Sequence, residues 1–242
     1  MLLQGVRVYF FYIHTTDSTQ NHGKAIATLH STYASFCIQA ERQTLGRGQR
    51  GRMWDSKEGN LLLTVCVPLY QKISPGKLSI ATGVSLAIVL QSFFPKQQGR
   101  SKEKLKIGLK WPNDVLLNQK KCAGVLIEIN EHVFIGIGIN ITSHPDNTPM
   151  PATHLLAHIP NDGTITQNAL TLKIIQIIPD LKKLENFNSI QKLWWKFAKD
   201  SVPYWRVREP LNGTVLGIDE QGQLLIQSET GQIIKRHQTF SE

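Results

Sequence analysis

Gly46-Arg47-Gly48-Gln49-Arg50-Gly51-Arg52-Met53-Trp54 places three glycines and three arginines within nine residues. Glycine frees the backbone and bares its N–H groups, while guanidinium forks bring positive charge, so the stretch suits a phosphate or carboxylate ligand. Its spacing satisfies G-x-G-x-x-G and comes close to a P-loop. A dinucleotide fold needs those glycines to leave a strand and open a helix, with an acidic residue about twenty positions on. Arg52-Met53-Trp54-Asp55-Ser56-Lys57-Glu58-Gly59 is poor helix material, and Val67–Gln71 carries no carboxylate. A P-loop needs Lys and Ser or Thr where this chain has Arg52 and Met53, and methionine offers no hydroxyl to a magnesium ion. Both nucleotide-fold readings fall. Standing alone, the loop would be a glycine-rich hairpin with solvated arginines.

Around it, the chain alternates short apolar runs with helical patterns. Val6–Ile13, Ser35–Ala40 and Asn60–Val67 read as strands, the last nearly continuous in apolar residues and therefore buried on both faces. Leu78, Ala81, Val84 and Ile88 recur at helical spacing until Pro95. Further strands are expected at Leu105–Leu109, Val115–Leu117, Gly124–Ile129 and Val133–Ile139, and helices at Gln167–Leu184 and Ser189–Lys199. Past Pro203 the register changes to short β-runs separated by the turns Asp219–Gly222 and Ser228–Gly231. The pattern gives an α/β or α+β body, residues 1–202, and a small β-barrel-like tail, residues 203–242.

The totals bound the rest. At 242 residues, with 41% hydrophobic and 19% charged residues, the chain can hold one sizeable core and an appended module. No apolar run reaches the roughly 20 residues of a membrane span, and the N-terminal run lacks a basic leader and a cleavage site, so a cytoplasmic protein is expected. Cys37, Cys66 and Cys122 are odd in number and scattered, which points to three reduced thiols in or near the core. The net charge of +9 invites a nucleic-acid partner, but much of it sits in the arginine loop and in the solvated run Lys96–Lys106.

Four further segments accompany the loop: Asp17-Ser18-Thr19, Lys110-Trp111-Pro112-Asn113-Asp114, Lys121-Cys122-Ala123-Gly124-Val125-Leu126-Ile127-Glu128 and Gly136-Ile137-Gly138-Ile139-Asn140. In this order and spacing they resemble the biotin–protein ligases, whose hallmarks are G-R-G-x-x-G-R, K-W-P-N-D, K-x-x-G-(V/I)-L-(V/I)-E and G-x-G-I-N. The resemblance covers residues 10–242. It implies an α+β fold of the class II biotin/lipoate ligase type, with a mixed sheet and helices, followed by an SH3-like barrel.

It also implies two half-reactions: biotin and ATP give biotinyl-5′-adenylate, and a carrier-protein lysine then takes the biotinyl group. The first step brings a carboxylate to a triphosphate. At about 4 Å and an effective dielectric near 20, each like-charge pair costs roughly 4 kcal/mol, so fixed cations are required. Arg47, Arg50, Arg52, Lys110 and Lys121 supply them, with Mg²⁺ on the phosphates. By resemblance Ser18, Thr19 and Gln43 hold biotin's ureido ring, although Asp17-Ser18-Thr19 also reads as a helix N-cap. Gly46, Arg47, Gly48 and Gln49 wrap the biotin tail and the adenylate linkage, and Lys121 meets the biotin carboxylate or the α-phosphate. Arg50 and Arg52 serve the phosphates. Trp54 either stacks on adenine or caps the loop as core. Asn113 and Asn140 meet ATP, or shape turns. Asp114 is expected to orient Arg52 or Lys110, or to assist the incoming amine. Ala123 and Gly124 pack beneath the ligand, and Glu128 is structural.

Two departures stand out. Many members carry arginine where this chain has Gln49, and only about a dozen residues precede the catalytic region, too few for a DNA-recognition helix. A ligase-only member, monomer or homodimer, without repressor activity is therefore expected. The carrier is a biotin carboxyl carrier protein, whether the acetyl-CoA carboxylase subunit or part of another biotin-dependent carboxylase. The nearest rival is a lipoate–protein ligase, whose R-R-x-G-G-G and H-D-x-G-like motifs are missing. A basic nucleic-acid-binding module is the rival from another class.

Overall fold

The computed structural model describes residues 2–3, 6–30, 34–69, 74–94, 105–177, 186–201 and 213–237. Eight strands follow in chain order: β1 (Leu2–Leu3), β2 (Val6–Thr16), β3 (Ser35–Gln43), β4 (Leu61–Pro68), β5 (Ile107–Lys110), β6 (Asp114–Leu117), β7 (Lys120–Ile129) and β8 (His132–Ile139). They form one sheet in the order β1-β2-β3-β4-β8-β7-β6-β5. Only β2 and β3 run parallel, linked by α1 (Thr19–His30); the other neighbours are antiparallel. The body is thus α+β with a mixed sheet.

Period-two alternation assigns the two faces. Leu61, Leu63, Val65, Val125, Ile127, Ile135, Ile137 and Ile139 bury into the large core, where α2 (Pro75–Ser92), α3 (Gln167–Ile177) and α4 (Asn188–Ala198) pack. Each such side chain contributes about 1.5–3 kcal/mol when removed from water. On the opposite face Phe36, Ile38, Cys66 and Phe134 gather under α1 with Ala27. Gly23 permits this approach, since a Cβ there would come within 2.9 Å of Cys66 Sγ. Helix α1 covers one end of that face, and the other end carries the cleft described below.

Helix α2 begins at Pro75, three residues before its first periodic apolar residue, because Ser74 Oγ accepts the Lys77 N–H and proline suits the first turn. Its stop at Pro95, residues 96–104, the end of the helix expected at 167–184 and the boundary at Pro203 fall outside the described residues. The second sheet is a three-stranded antiparallel meander of β9 (Gly213–Ile218), β10 (Leu224–Ser228) and β11 (Ile233–Arg236). It does not stand apart: Ile218, Leu224 and Ile226 join the large core. Trp111 Nε1–H donates to the Gly222 carbonyl at 3.0 Å, and Gln191 Nε2 donates to the Ile218 carbonyl at 3.0 Å. All three cysteines are buried and unbridged. Burial pushes the Cys37 and Cys122 thiols up to about 12, which disfavours the thiolate form. Among the described residues no helix is long and apolar enough to cross a membrane.

Candidate functional site

The arginine loop leaves β3 and folds back on itself. Arg47 bridges to Met53, the Gly48 N–H donates to the Arg52 carbonyl at 2.7 Å, and the Trp54 N–H donates to the Gly46 carbonyl at 2.8 Å. A single 3₁₀ turn, Gln49–Gly51, forms its tip, with Arg50 at φ 58° and Gly51 at φ 69°. The chain then runs extended into β4 without opening an α-helix. Beside the loop lies a cleft of about 590 Å³.

Glycines clear its floor. Gly138 of β8 and Gly124 of β7 are paired across the sheet, next to Leu62 of β4, and the Trp54 indole lies on that pair. A Cβ at Gly138 would stand 2.3 Å from Trp54 Cε2, and one at Gly124 would stand 3.0 Å from Cζ3. Gly136 does the same for Gln20, whose Nε2 would be 2.7 Å from an added Cβ and donates to the Leu126 carbonyl at 3.0 Å. The G-x-G spacing therefore clears two neighbouring positions on one face of β8.

One end of the cleft is neutral. Ser18 Oγ accepts the Gln20 N–H at 3.2 Å as a helix cap does, so the capping reading of this segment holds while Ser18 and Thr19 also line the cleft. Thr19 and Gln43 are bound to each other: Gln43 Oε1 accepts from the Thr19 N–H at 2.7 Å and from Thr19 Oγ1 at 3.0 Å. Thr64 Oγ1 supports Thr19 Oγ1 at 2.8 Å, and Ser56 Oγ holds Gln43 Nε2 at 3.1 Å. The other end is charged. Among the described residues that line the cleft, six are cationic (Arg47, Arg50, Arg52, Lys110, Lys121, Arg236) and two are acidic (Asp55, Asp114). That excess suits an anion.

Within this end, Lys121 Nζ sits 2.6 Å from Asp114 Oδ1 and 5.3 Å from the Trp54 ring centroid. Asp114 thus orients Lys121, whereas Arg52 or Lys110 was expected as its partner. Lys110 Nζ lies 3.4 Å from Met150 Sδ. Burial, opposed by Asp114 and reinforced by Lys121 and Arg52, holds its ammonium below the ordinary lysine value. Arg47 pairs with Glu128 at 3.1 Å, which commits the Arg47 side chain to it. Asn113 Nδ2 donates to the Val125 carbonyl at 2.7 Å, and Asn140 Nδ2 to the Thr153 carbonyl at 3.0 Å. Both asparagines shape the cleft as well as line it.

Of the residues expected from sequence, Ser18, Thr19, Gln43, Arg47, Gly48, Gln49, Arg50, Arg52, Trp54, Lys110, Asn113, Asp114, Lys121, Gly124 and Asn140 line this one cleft. Gly46 does not. It lies buried behind the loop, where a Cβ would come 2.6 Å from the Trp54 carbonyl, so its contribution is to close the hairpin. The linings not anticipated include Gln20, the wall from Pro145 to Ala152, and Arg236 with Leu224 from the small sheet. The prolines at 145, 149 and 151 mark an irregular segment, but nothing in its composition says which surface it covers. Gln20 Oε1, Gln49 Nε2 and Trp54 Nε1 are buried cleft atoms without a hydrogen-bond partner among the described residues, the condition of a surface built for a polar ligand.

Residues 12–140 match the biotin/lipoate A/B protein ligase family. The bifunctional ligase/repressor BirA of Bacillus subtilis is 29% identical over 246 residues, covering 92% of this chain and 70% of that protein. A biotin–[acetyl-CoA-carboxylase] ligase of Mycobacterium tuberculosis is 39% identical over 145 residues, covering 58% of this chain and 52% of its own length. The solved structure of the Aquifex aeolicus biotin protein ligase in complex with biotin and ATP superposes with a TM-score of 0.75 at 27% identity, covering 94% of each chain.

Proposed function

Since the chain belongs to the biotin/lipoate A/B protein ligase family, we propose that its cleft joins biotin to ATP as biotinyl-5′-adenylate and passes the biotinyl group to a lysine of a biotin carboxyl carrier protein. The observation that carries this reading is one cleft with a neutral hydrogen-bonding end, Ser18–Thr19–Gln43, and a cationic end held together by the Lys121–Asp114 pair. A cyclic urea is uncharged and needs neutral partners, whereas a carboxylate meeting a triphosphate needs positive charge.

In the first step the biotin carboxylate oxygen attacks the α-phosphorus and pyrophosphate departs. Lys121, oriented by Asp114, and the half-buried Lys110 offset the charge that gathers on the phosphoryl oxygens, with Arg50 and Arg52 serving the phosphates. The Gly48 and Gln49 backbone encloses the linkage, and Trp54, fixed on Gly124 and Gly138, presents its indole to the adenylate. In the second step the carrier lysine amine attacks the acyl carbon and AMP departs. In this scheme Mg²⁺ is carried on the phosphates of the nucleotide, beside the cationic end of the cleft. When bound there, it would neutralise phosphate charge.

The reading extends to a two-part chain, a catalytic domain over 1–202 and an SH3-like module over 203–242, supported by the separate three-stranded sheet. It also includes a cytoplasmic location and a carrier belonging to acetyl-CoA carboxylase or another biotin-dependent carboxylase. The test is ATP-dependent transfer of labelled biotin, with labelled lipoate in parallel, to a purified carrier domain. Biotin label that disappears when the carrier lysine is replaced by alanine supports the reading. Transfer of lipoate instead, or of neither, overturns it.

A further inference from the structure

From Ile141 to His154 the chain forms no helix or strand of its own, yet Pro145, Thr148, Pro149, Met150 and Ala152 make a wall of the cleft. Its entrance is fastened by Asn60, whose Oδ1 accepts from the N–H groups of Ile141 at 2.9 Å and Thr142 at 3.1 Å. Its exit is fastened to β7: the Lys121 N–H donates to the Pro151 carbonyl at 2.8 Å, and the Thr153 N–H donates to the Lys121 carbonyl at 2.9 Å. Between these fastenings His144 and His154 meet across the neck. Their Nδ1 atoms are 2.7 Å apart, and the rings stack with centroids 5.0 Å apart.

We propose that His144 and His154 are positioning residues that clasp the neck of this wall and thereby set the affinity of the cleft for ATP. The ATP clause rests on the ligase reading above, and the clasp itself rests on the geometry alone. An Nδ1–Nδ1 hydrogen bond needs one ring as donor and the other as acceptor. A neutral pair or a singly protonated pair satisfies it. A doubly protonated pair has two donors and no acceptor, and two adjacent charges.

The surroundings oppose that second proton. Lys57 Nζ donates to the His144 carbonyl at 3.3 Å, with Asp55 3.6 Å from Lys57. His158, bonded through Nε2 to Thr153 Oγ1 at 2.8 Å, adds to the positive side near His154, and Lys120 stands near His158. Asp146 is the acidic residue within the wall. Burial first, then His144 and His158, holds His154 below the ordinary imidazole value. The fold therefore disfavours a proton on His154, so the clasp holds above about pH 6.5 and is lost only where acidification through the lowered His154 value leaves the pair with two protons. The wall meets the cations on its inner side, Met150 at Lys110 Nζ and Ala152 bridged to Lys121. An open neck would release the stretch from Pro145 to Met150 from Lys110, while the backbone bridge keeps Ala152 at Lys121 and the Ser18–Gln43 end is unchanged.

The test compares wild type with the double variant His144→Phe/His154→Phe, which keeps two stackable rings but neither the hydrogen bond nor the titration. KM for ATP and for biotin are measured by ATP–pyrophosphate exchange from about pH 8 to about pH 5.5, across the histidine range. The KM for ATP in wild type should rise on acidification by roughly tenfold more than in the variant, and the KM for biotin should not follow it. Titration of the substrates is common to both proteins and cancels in the ratio. Parallel profiles overturn the proposal. Hydrogen exchange of the peptide spanning residues 143–154 gives a second readout that does not depend on activity: protection relative to the variant should be present at about pH 8 and lost at about pH 5.5. Equal protection at both pH values also overturns it. A wild type that exchanges no pyrophosphate at any pH refutes the ligase reading, and the hydrogen-exchange arm still decides the clasp. Should the double variant fail to fold, His154→Gln keeps an amide in reach of His144 and removes one titrating ring, with a flat profile expected.

Discussion

Replacing Gly138 by alanine probes the contact on which the cleft floor depends. The added Cβ would stand 2.3 Å from Trp54 Cε2, 2.5 Å from Cζ2 and 2.6 Å from Nε1. Carbon atoms settle at about 3.5–4.0 Å, so the indole, 2.3 Å away, must withdraw by roughly 1.2–1.7 Å. A rigid bicyclic ring cannot bend out of the way. Its backbone N–H is tied to the Gly46 carbonyl at 2.8 Å, so the displacement passes into the arginine loop. Overpacking of this kind costs about 1–3 kcal/mol, and because the ring borders the open cleft and can shift into it the lower part of that range applies. At about 2–4 °C per kcal/mol for a chain of this size, calorimetry should record a Tm lower by roughly 2–6 °C. The larger effect should be on activity, since a misplacement of about 1 Å in a reacting site lowers rate by about a hundredfold. The assay is biotin-dependent ATP–pyrophosphate exchange. In a Trp54→Ala background the alanine at 138 should no longer matter to Tm, giving a coupling of about 1 kcal/mol or more in the double-mutant cycle. A Gly138→Ala enzyme within threefold of wild type, or additive effects in the cycle, would refute the placement of the indole on this glycine.

Three other perturbations follow from the same geometry. Lys121→Ala removes the partner of Asp114 and the ammonium nearest Trp54, so pyrophosphate exchange should fall below detection while the far-UV circular dichroism is kept; near-normal exchange sinks its assignment. Arg236→Ala takes away the cation that the small sheet brings to the cleft, and the loss of one charge-assisted hydrogen bond should raise the KM for ATP by roughly tenfold or more with the KM for biotin unchanged. Equal change in both would assign Arg236 to packing. Gln49→Arg restores a charge at the loop tip, where Gln49 Nε2 is buried without a partner among the described residues, and biotinylation should be retained. A hundredfold loss would mean that Gln49 has a geometric task.

Much of the site was legible because its residues come in short segments whose chemistry is local. Three arginines among three glycines, a lysine before Trp-Pro-Asn-Asp and a lysine three residues before Gly124 announce an anion site wherever they are placed. The strands were legible for a similar reason, since alternation and apolar runs are properties of neighbours along the chain. Element ends were less so: α2 starts at Pro75 because of a cap at Ser74, which apolar periodicity does not register. Partners were the least legible. Asp114 pairs with Lys121 because β6 and β7 are adjacent and Asp114 sits opposite Gly124, a matter of register.

The amino-acid sequence by itself thus determined most of the strands and the helices that follow the arginine loop, the alternation that makes one sheet face core, and the identity of the charged groups, all set by residues within a few positions of one another; of α1 it marked only the cap. Only the tertiary structure decided what those groups touch. Trp54 rests on a glycine 84 positions away in sequence numbering (138 minus 54), Arg47 reaches Glu128, and Arg236 and the 145–152 wall close a cleft begun at Ser18. Such contacts depend on strand register and on the docking of one sheet against another. Those follow from packing the whole core at once, so no local pattern encodes them.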